Sequence, residues 1–127
     1  MKQYKITGNW SDGRKTVTVN LPVMYFQEGD SHIAYVPVLD LSGYGNNQDE
    51  AMQSLNIVLQ NYFDYTIKKN TLAEDLKAHG WTVRKKTKPY IAPELTDLIN
   101  QNEYLHDIVN KKPYIMHRID VALPEYA

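Results

Sequence analysis

The sequence predicts an α+β fold, a mainly antiparallel sheet with helices on one face. Three observations carry that expectation. Residues 15–27 and 31–39 are apolar-alternating or apolar-rich stretches on either side of a Glu28-Gly29-Asp30 turn signal. A helical period follows over about 47–69. A second helical pattern, over about 94–109, gives way to a β-rich tail, YIMHRIDVALP. The expected order is β-β-β-α-α-β-α-β, with residues 1–88 as the main domain. Residues 89–127 then form a helix-strand extension, packed on the same domain or on a second subunit.

The elements follow in chain order. Residues 3–10, QYKITGNW, make a first short strand, closed by Ser11-Asp12-Gly13. In 15–27 Val17, Val19 and Leu21 alternate with Thr16, Thr18 and Asn20, the period of a half-buried strand. Pro22 has no N–H to give a ladder, so the strand must be an edge there or bulge. Pro37 interrupts the next strand in the same way. Asp40-Leu41-Ser42-Gly43-Tyr44-Gly45 reads as a corner, bent at its two glycines.

Asn47 is a suitable N-cap for the long helix, and Glu50 stands at the capping-box position. Asp49 and Glu50 suit the positive end of the helix dipole, and Lys68 and Lys69 the negative end. Ala51, Leu55, Val58, Leu59, Tyr62 and Ile67 form its apolar stripe. Thr71 and Glu74 suggest a capping box for a short second helix, with Gly80 just past its end. A strand over 81–86 ends in a basic tip. Pro93 suits the first turn of the third helix, which Asn100-Gln101-Asn102 threatens to interrupt.

Composition narrows the classes of function. The chain has 127 residues, enough for one domain with its own core, and 43% of them are hydrophobic, which argues against a disordered chain. Net charge is −1, so a strong non-specific grip on nucleic acid is not expected. Cysteine is absent, which leaves no disulfide framework or thiolate metal site and fits a reducing compartment. The first ten residues show no signal-peptide pattern, and no apolar run reaches membrane-spanning length. The expected location is the cytoplasm. Some of the ten tyrosines are candidate anchors for a partner, although most suit a sheet.

Asp40, Leu41 and Gly43, followed by Glu50 and Ala51 at the helix start, give the chain a resemblance to the HicB-like antitoxin family over about residues 15–86. That family has a proline-and-acid corner, then a helix with Glu-Ala near its start, then a further strand. Leu39 and Ser42 stand where the family has prolines, and Tyr44 where it often has cysteine. The resemblance implies a partial ribonuclease-H-like fold that has lost its nuclease residues and blocks a small HicA-type messenger-RNA-cleaving toxin. Many members add a C-terminal DNA-binding element, but 94–112 offers His106, Asp107 and Asn110 beside acids, a poor set for reading base edges. DNA binding is therefore not favoured. The alternative is an orphan oligomeric structural or interaction domain without a toxin. Self-association as a dimer or tetramer is expected in either case.

No catalytic, cofactor or metal site is expected. Ribonuclease-H chemistry needs clustered acids around two metal ions. Asp40 has a turn role, Asp49 and Glu50 a helix-start role, and Asp64 lies on the polar face of the long helix. His32, His79, His106 and His117 lack metal-ligand spacing. Gly43 and Gly45 lack the third glycine and the lysine of a phosphate loop. Arg84, Lys85, Lys86 and Lys88 are candidate phosphate contacts, but lysines at a strand end more often guard an exposed edge.

Overall fold

The computed structural model describes residues 16–84 and 90–124, and the backbone of residues 4–6. The strands are β1 (Tyr4–Ile6), β2 (Thr16–Glu28), β3 (Ser31–Val36), β4 (Leu41–Gly45), β5 (Thr82–Val83), β6 (Tyr90–Ile91) and β7 (Tyr114–Pro124). The helices are α1 (Gln48–Lys68), α2 (Leu72–Ala78), α3 (Leu95–Gln101) and α4 (Glu103–Lys111). The fold is α+β. A five-stranded sheet runs in the order β1-β7-β2-β3-β4, antiparallel except for the parallel β1–β7 pair. Strands β5 and β6 form a separate hairpin.

The C-terminal strand is integral to this sheet. β7 lies beside β2 over its full length, from Thr16 opposite Pro124 to Phe26 opposite Tyr114. Pro22 is accommodated as its chemistry requires. The described pairing of β2 with β3 begins only at Met24, so Pro22 has β7 on one side and no described strand on the other. Pro37 falls in the turn after β3, outside the ladder.

Strand alternation divides the core in two, because successive side chains point to opposite faces. Val19, Leu21 and Val23 of β2, Ala34 and Val36 of β3, and Ile119, Val121 and Leu123 of β7 point to one face. There α1 and α2 cover them with Ala51, Leu55, Leu59, Phe63, Leu72 and Leu76. Met24, Phe26, Ile33 and Tyr35 point the other way and pack on Leu105 and Ile108 of α4. The helices therefore lie on both faces, not one. The reason is visible in β2 itself, where burial is continuous from Leu21 to Met24 and both pleats must be covered.

Four further expectations change. The corner at Asp40–Gly45 is a hairpin loop followed by strand β4, which pairs with β3 from Val36–Leu41 to His32–Gly45. Of the strand expected over 81–86, Thr82–Val83 form β5, which leaves the main sheet to pair with β6, and Lys85 and Lys86 lie outside the described residues. The third helix is two helices: the Asn102 side chain accepts from the Leu105 N–H at 3.1 Å and starts a new one. Thr71 makes no side-chain cap bond, so the second capping box does not form. The observed order is thus β1-β2-β3-β4-α1-α2-β5-β6-α3-α4-β7.

The cap at Asn47 does form. Its Oδ1 accepts from the Glu50 N–H at 2.9 Å, while Glu50 Oε1 accepts from the Asn46 N–H at 3.1 Å. Gly80 takes a positive φ of 89° past the end of α2. Trp81 then turns inward, 5% exposed, and its indole N–H donates to the Val38 carbonyl at 2.8 Å. That bond ties the end of α2 to the β3–β4 loop.

Candidate functional site

Of the residues that carry the family resemblance, Leu41, Gly43, Glu50 and Ala51 lie along one joint between β4 and α1, and Asp40 stands in the loop that leads into it. Ala51 is fully buried there, and Leu41 packs partly buried against the same core. A Cβ on Gly43 would stand 2.2 Å from the Leu55 nitrogen and 2.6 Å from the Ala51 carbonyl oxygen. A Cβ on Gly45 would stand 2.4 Å from the Glu50 Cβ. Neither glycine has a positive φ. They serve close backbone approach between strand and helix, not the bend that the sequence suggested.

Asp40 closes the β3–β4 loop in the left-handed region, with φ at 55°, a conformation that Asp tolerates better than most residues. Its Oδ1 accepts from the Tyr35 hydroxyl at 2.6 Å. That hydroxyl in turn accepts from Asn102 Nδ2 at 3.1 Å. The chain Asp40–Tyr35–Asn102 therefore joins the loop to the start of α4. Burial first, and then Asp40, pushes the Tyr35 phenol well above its ordinary range.

Beside this chain opens a cleft of about 510 Å³ between the β3–β4 loop, the end of α2 and α3. Asp40, Lys77, His79, Asp97, Gln101 and Asn102 line it. The lining mixes both charge signs with amides, which suits polar contact with another molecule and supplies no hydroxyl or thiol nucleophile. His79 is already engaged by Asp75 one turn back: Nδ1 lies 2.8 Å from the Asp75 carbonyl oxygen and 3.5 Å from Oδ2. Asp75 also accepts from the Tyr62 hydroxyl. Burial, and next the Asp75 carboxylate, drives the Tyr62 phenol far upward.

The acids weighed for metal chemistry do not converge. Asp64 is about 21 Å along α1 from Glu50, at about 1.5 Å per residue, and pairs with Lys68 at 3.0 Å. Two-metal catalysis needs ions about 4 Å apart within one carboxylate cluster. Among the described residues no group of three or more His, Cys, Asp or Glu side chains is placed to hold a metal ion. The histidines are dispersed as well. His32 contacts the Tyr25 hydroxyl, His117 Nε2 lies 2.7 Å from Gln48 Nε2, and His106 is exposed on α4. Arg84 is exposed just after β5. Lys85, Lys86 and Lys88, its companions as candidate phosphate contacts, lie outside the described residues.

Sequence reasoning missed three features. Tyr35 and Asn102 are 67 positions apart, and no local pattern links them. Arg118, Asn20 and Asp120 form a chain on the sheet surface: Arg118 Nη1 donates to Asn20 Oδ1 at 2.6 Å, and Asn20 Nδ2 donates to Asp120 Oδ1 at 2.8 Å. The pairing of β2 with β7, which carries it, is equally non-local. Tyr44 and Tyr104 stand exposed beside the second core, and the one available signal was the abundance of tyrosine. Among the described residues no helix is long and apolar enough to cross a membrane. No family model, curated protein or solved structure matches the chain.

Proposed function

We propose that this chain is a non-enzymatic, cytoplasmic binding protein of the HicB-like antitoxin type, which neutralises a small HicA-type messenger-RNA-cleaving toxin by covering its active surface. One observation carries the reading. Asp40, Leu41, Gly43, Glu50 and Ala51 all serve the β3–β4 hairpin and its joint with α1. Residues that fix a hairpin and helix as a rigid platform are what a partner-binding module needs. The dispersal of Asp40, Asp49, Glu50 and Asp64 supports a binding role over a nuclease role. Co-expression with a HicA-type toxin tests the proposal. A stable complex and restored growth are expected; toxin activity undiminished by an excess of this protein refutes it.

A second reading, an oligomeric interaction domain without a toxin, draws on β7. Tyr114, Ile115 and Met116 are 38%, 53% and 37% exposed in succession. Among the described residues, β1 pairs with β7 only from Ile119 onward. Three consecutive exposed apolar residues on a strand favour association between copies. Light scattering on the full chain and on Ile115→Lys tests this reading: a dimer or tetramer that dissociates in the variant supports it, and a monomer in both eliminates it.

A further inference from the structure

We propose that Tyr44 and Tyr104, beside one another at the edge of β4, form a docking surface for a protein partner that presents arginine and lysine side chains. The choice of a protein partner rests on the binding-protein reading above; the place and chemistry of the surface do not.

The geometry begins with the sheet. Phe26, Ile33 and Tyr44 are neighbours in one row across β2, β3 and β4, on the face that α4 covers. Phe26 and Ile33 are buried, whereas Tyr44, at the end of the row, is 59% exposed. Tyr104, 39% exposed, projects from α4 over the same row. Its ring meets Tyr35 edge-on at 5.2 Å and Phe26 at 6.3 Å. Tyr104 is therefore held by a buried aromatic layer and still reaches solvent. Rigid, half-buried tyrosines of this kind supply most of the energy in many interfaces, because little conformational freedom is lost when they are covered.

The surroundings decide what covers them. Tyr104 meets Tyr35, whose hydroxyl donates to Asp40, and Phe26, two residues before Glu28; burial first, then Glu28, Tyr44 and Asp40, raises the pKa of the Tyr104 phenol. Glu103 precedes Tyr104 on the exposed side of α4. Lys112 also lies close; it pairs with Glu28 at 3.5 Å and sits 6.0 Å from the Phe26 ring centre, so those two charges offset one another and Asp40 and Glu103 supply the negative rim. Aromatic faces rimmed by carboxylates attract guanidinium and ammonium groups and repel phosphates. The strand edge is closed to simple strand addition at this point, because the Tyr44 N–H donates to Ser54 Oγ of α1 at 3.1 Å. Recognition thus goes through side chains.

The test uses the full chain and two probes, a lysine- and arginine-rich peptide and a HicA-type toxin, followed by amide chemical shifts and calorimetry. Peptide-induced shifts are expected to centre on Tyr44, Tyr104, Asp40 and Glu103. Tyr44→Ala and Glu103→Lys should each weaken peptide binding at least tenfold, while Tyr44→Phe and the control Glu74→Lys on α2 stay within about twofold. Equal weakening by Glu74→Lys, shifts centred elsewhere, or a nucleic acid that displaces the peptide from these residues would overturn the proposal. A toxin bound at another surface leaves the antitoxin reading standing and overturns this one. Peptide bound at the tyrosines, with no toxin binding at all, does the reverse.

Discussion

Replacing Gly43 by alanine tests the joint between β4 and α1 directly. The new Cβ would sit 2.2 Å from the Leu55 nitrogen, 2.6 Å from the Leu55 Cα and 2.6 Å from the Ala51 oxygen. All three are backbone atoms of one 21-residue helix, so no side chain can rotate away. An ordinary van der Waals separation is about 3.5 Å, so strand and helix must part by more than 1 Å. Parting them opens the first core around Ala51 and Leu55, both fully buried. Overpacking in a closed core costs about 1–3 kcal/mol and sometimes more; with backbone on both sides, a loss of about 3 kcal/mol or more is expected. For a domain of this size that lowers Tm by about 10–15 °C. Gly29→Ala is the control. It has nothing within 4 Å but a φ of 61°, so its cost is conformational, about 1–2 kcal/mol. Urea unfolding of both variants decides the matter. A Gly43→Ala protein within 1 kcal/mol of the parent, or no less stable than Gly29→Ala, refutes the close-approach argument.

Three other outcomes follow from the described contacts. Trp81→Phe leaves the Val38 carbonyl without its indole partner and should cost about 1–3 kcal/mol in denaturant unfolding. Asn102→Ala removes both the α4 cap and the bond to Tyr35; a loss of about 1–2 kcal/mol and faster hydrogen exchange at Leu105 are expected, and unchanged exchange would refute the cap's role. The folded state holds the Tyr35 and Tyr62 phenols above their unfolded value. Their contribution to stability is therefore complete below about pH 10 and lost as pH rises beyond it. Tyr35→Phe and Tyr62→Phe should each flatten the alkaline decline in Tm, and an equally steep decline in the double variant would refute the linkage.

What could be read from the sequence was local. The capped start of α1 at Asn47, the turn at Gly29, the stop at Gly80 and the final strand all rest on signals within a few residues, and all are present. The failures share a cause. Gly43 and Gly45 were assigned to a bend because glycine permits one, but what selects glycine is a helix that passes overhead. The interruption that Asn100-Gln101-Asn102 signalled in the helix over 94–109 is present, but no local pattern shows that Asn102 also bonds Tyr35 across the fold. No local period reveals that a strand far downstream, Tyr114–Pro124, will pair with β2, or that Met24 and Phe26 need a second cover. The candidate surface was less legible still. Exposed tyrosines and buried sheet tyrosines have the same local signature, and Tyr35 and Tyr44 differ only in where β3 and β4 place them.

Coverage of the second face explains where that surface lies. α4 covers the face around Met24, Phe26, Ile33 and Tyr35, toward β3 and β4. Farther along β2 and β7, Thr16, Thr18, Asn20 and Arg118 remain exposed, and that region is polar, as an open sheet face must be. The apolar cover ends at β4 with Tyr44 and at β7 with Tyr114 and Met116, all exposed. Burying either margin would extend a core that already exists, so association there needs little new order. The two margins differ in charge. Asp40 stands near the β4 side, while Arg118 follows Tyr114 and Met116 on the same face of β7. A basic partner therefore favours the tyrosines at β4, which leaves the β7 margin for association between copies.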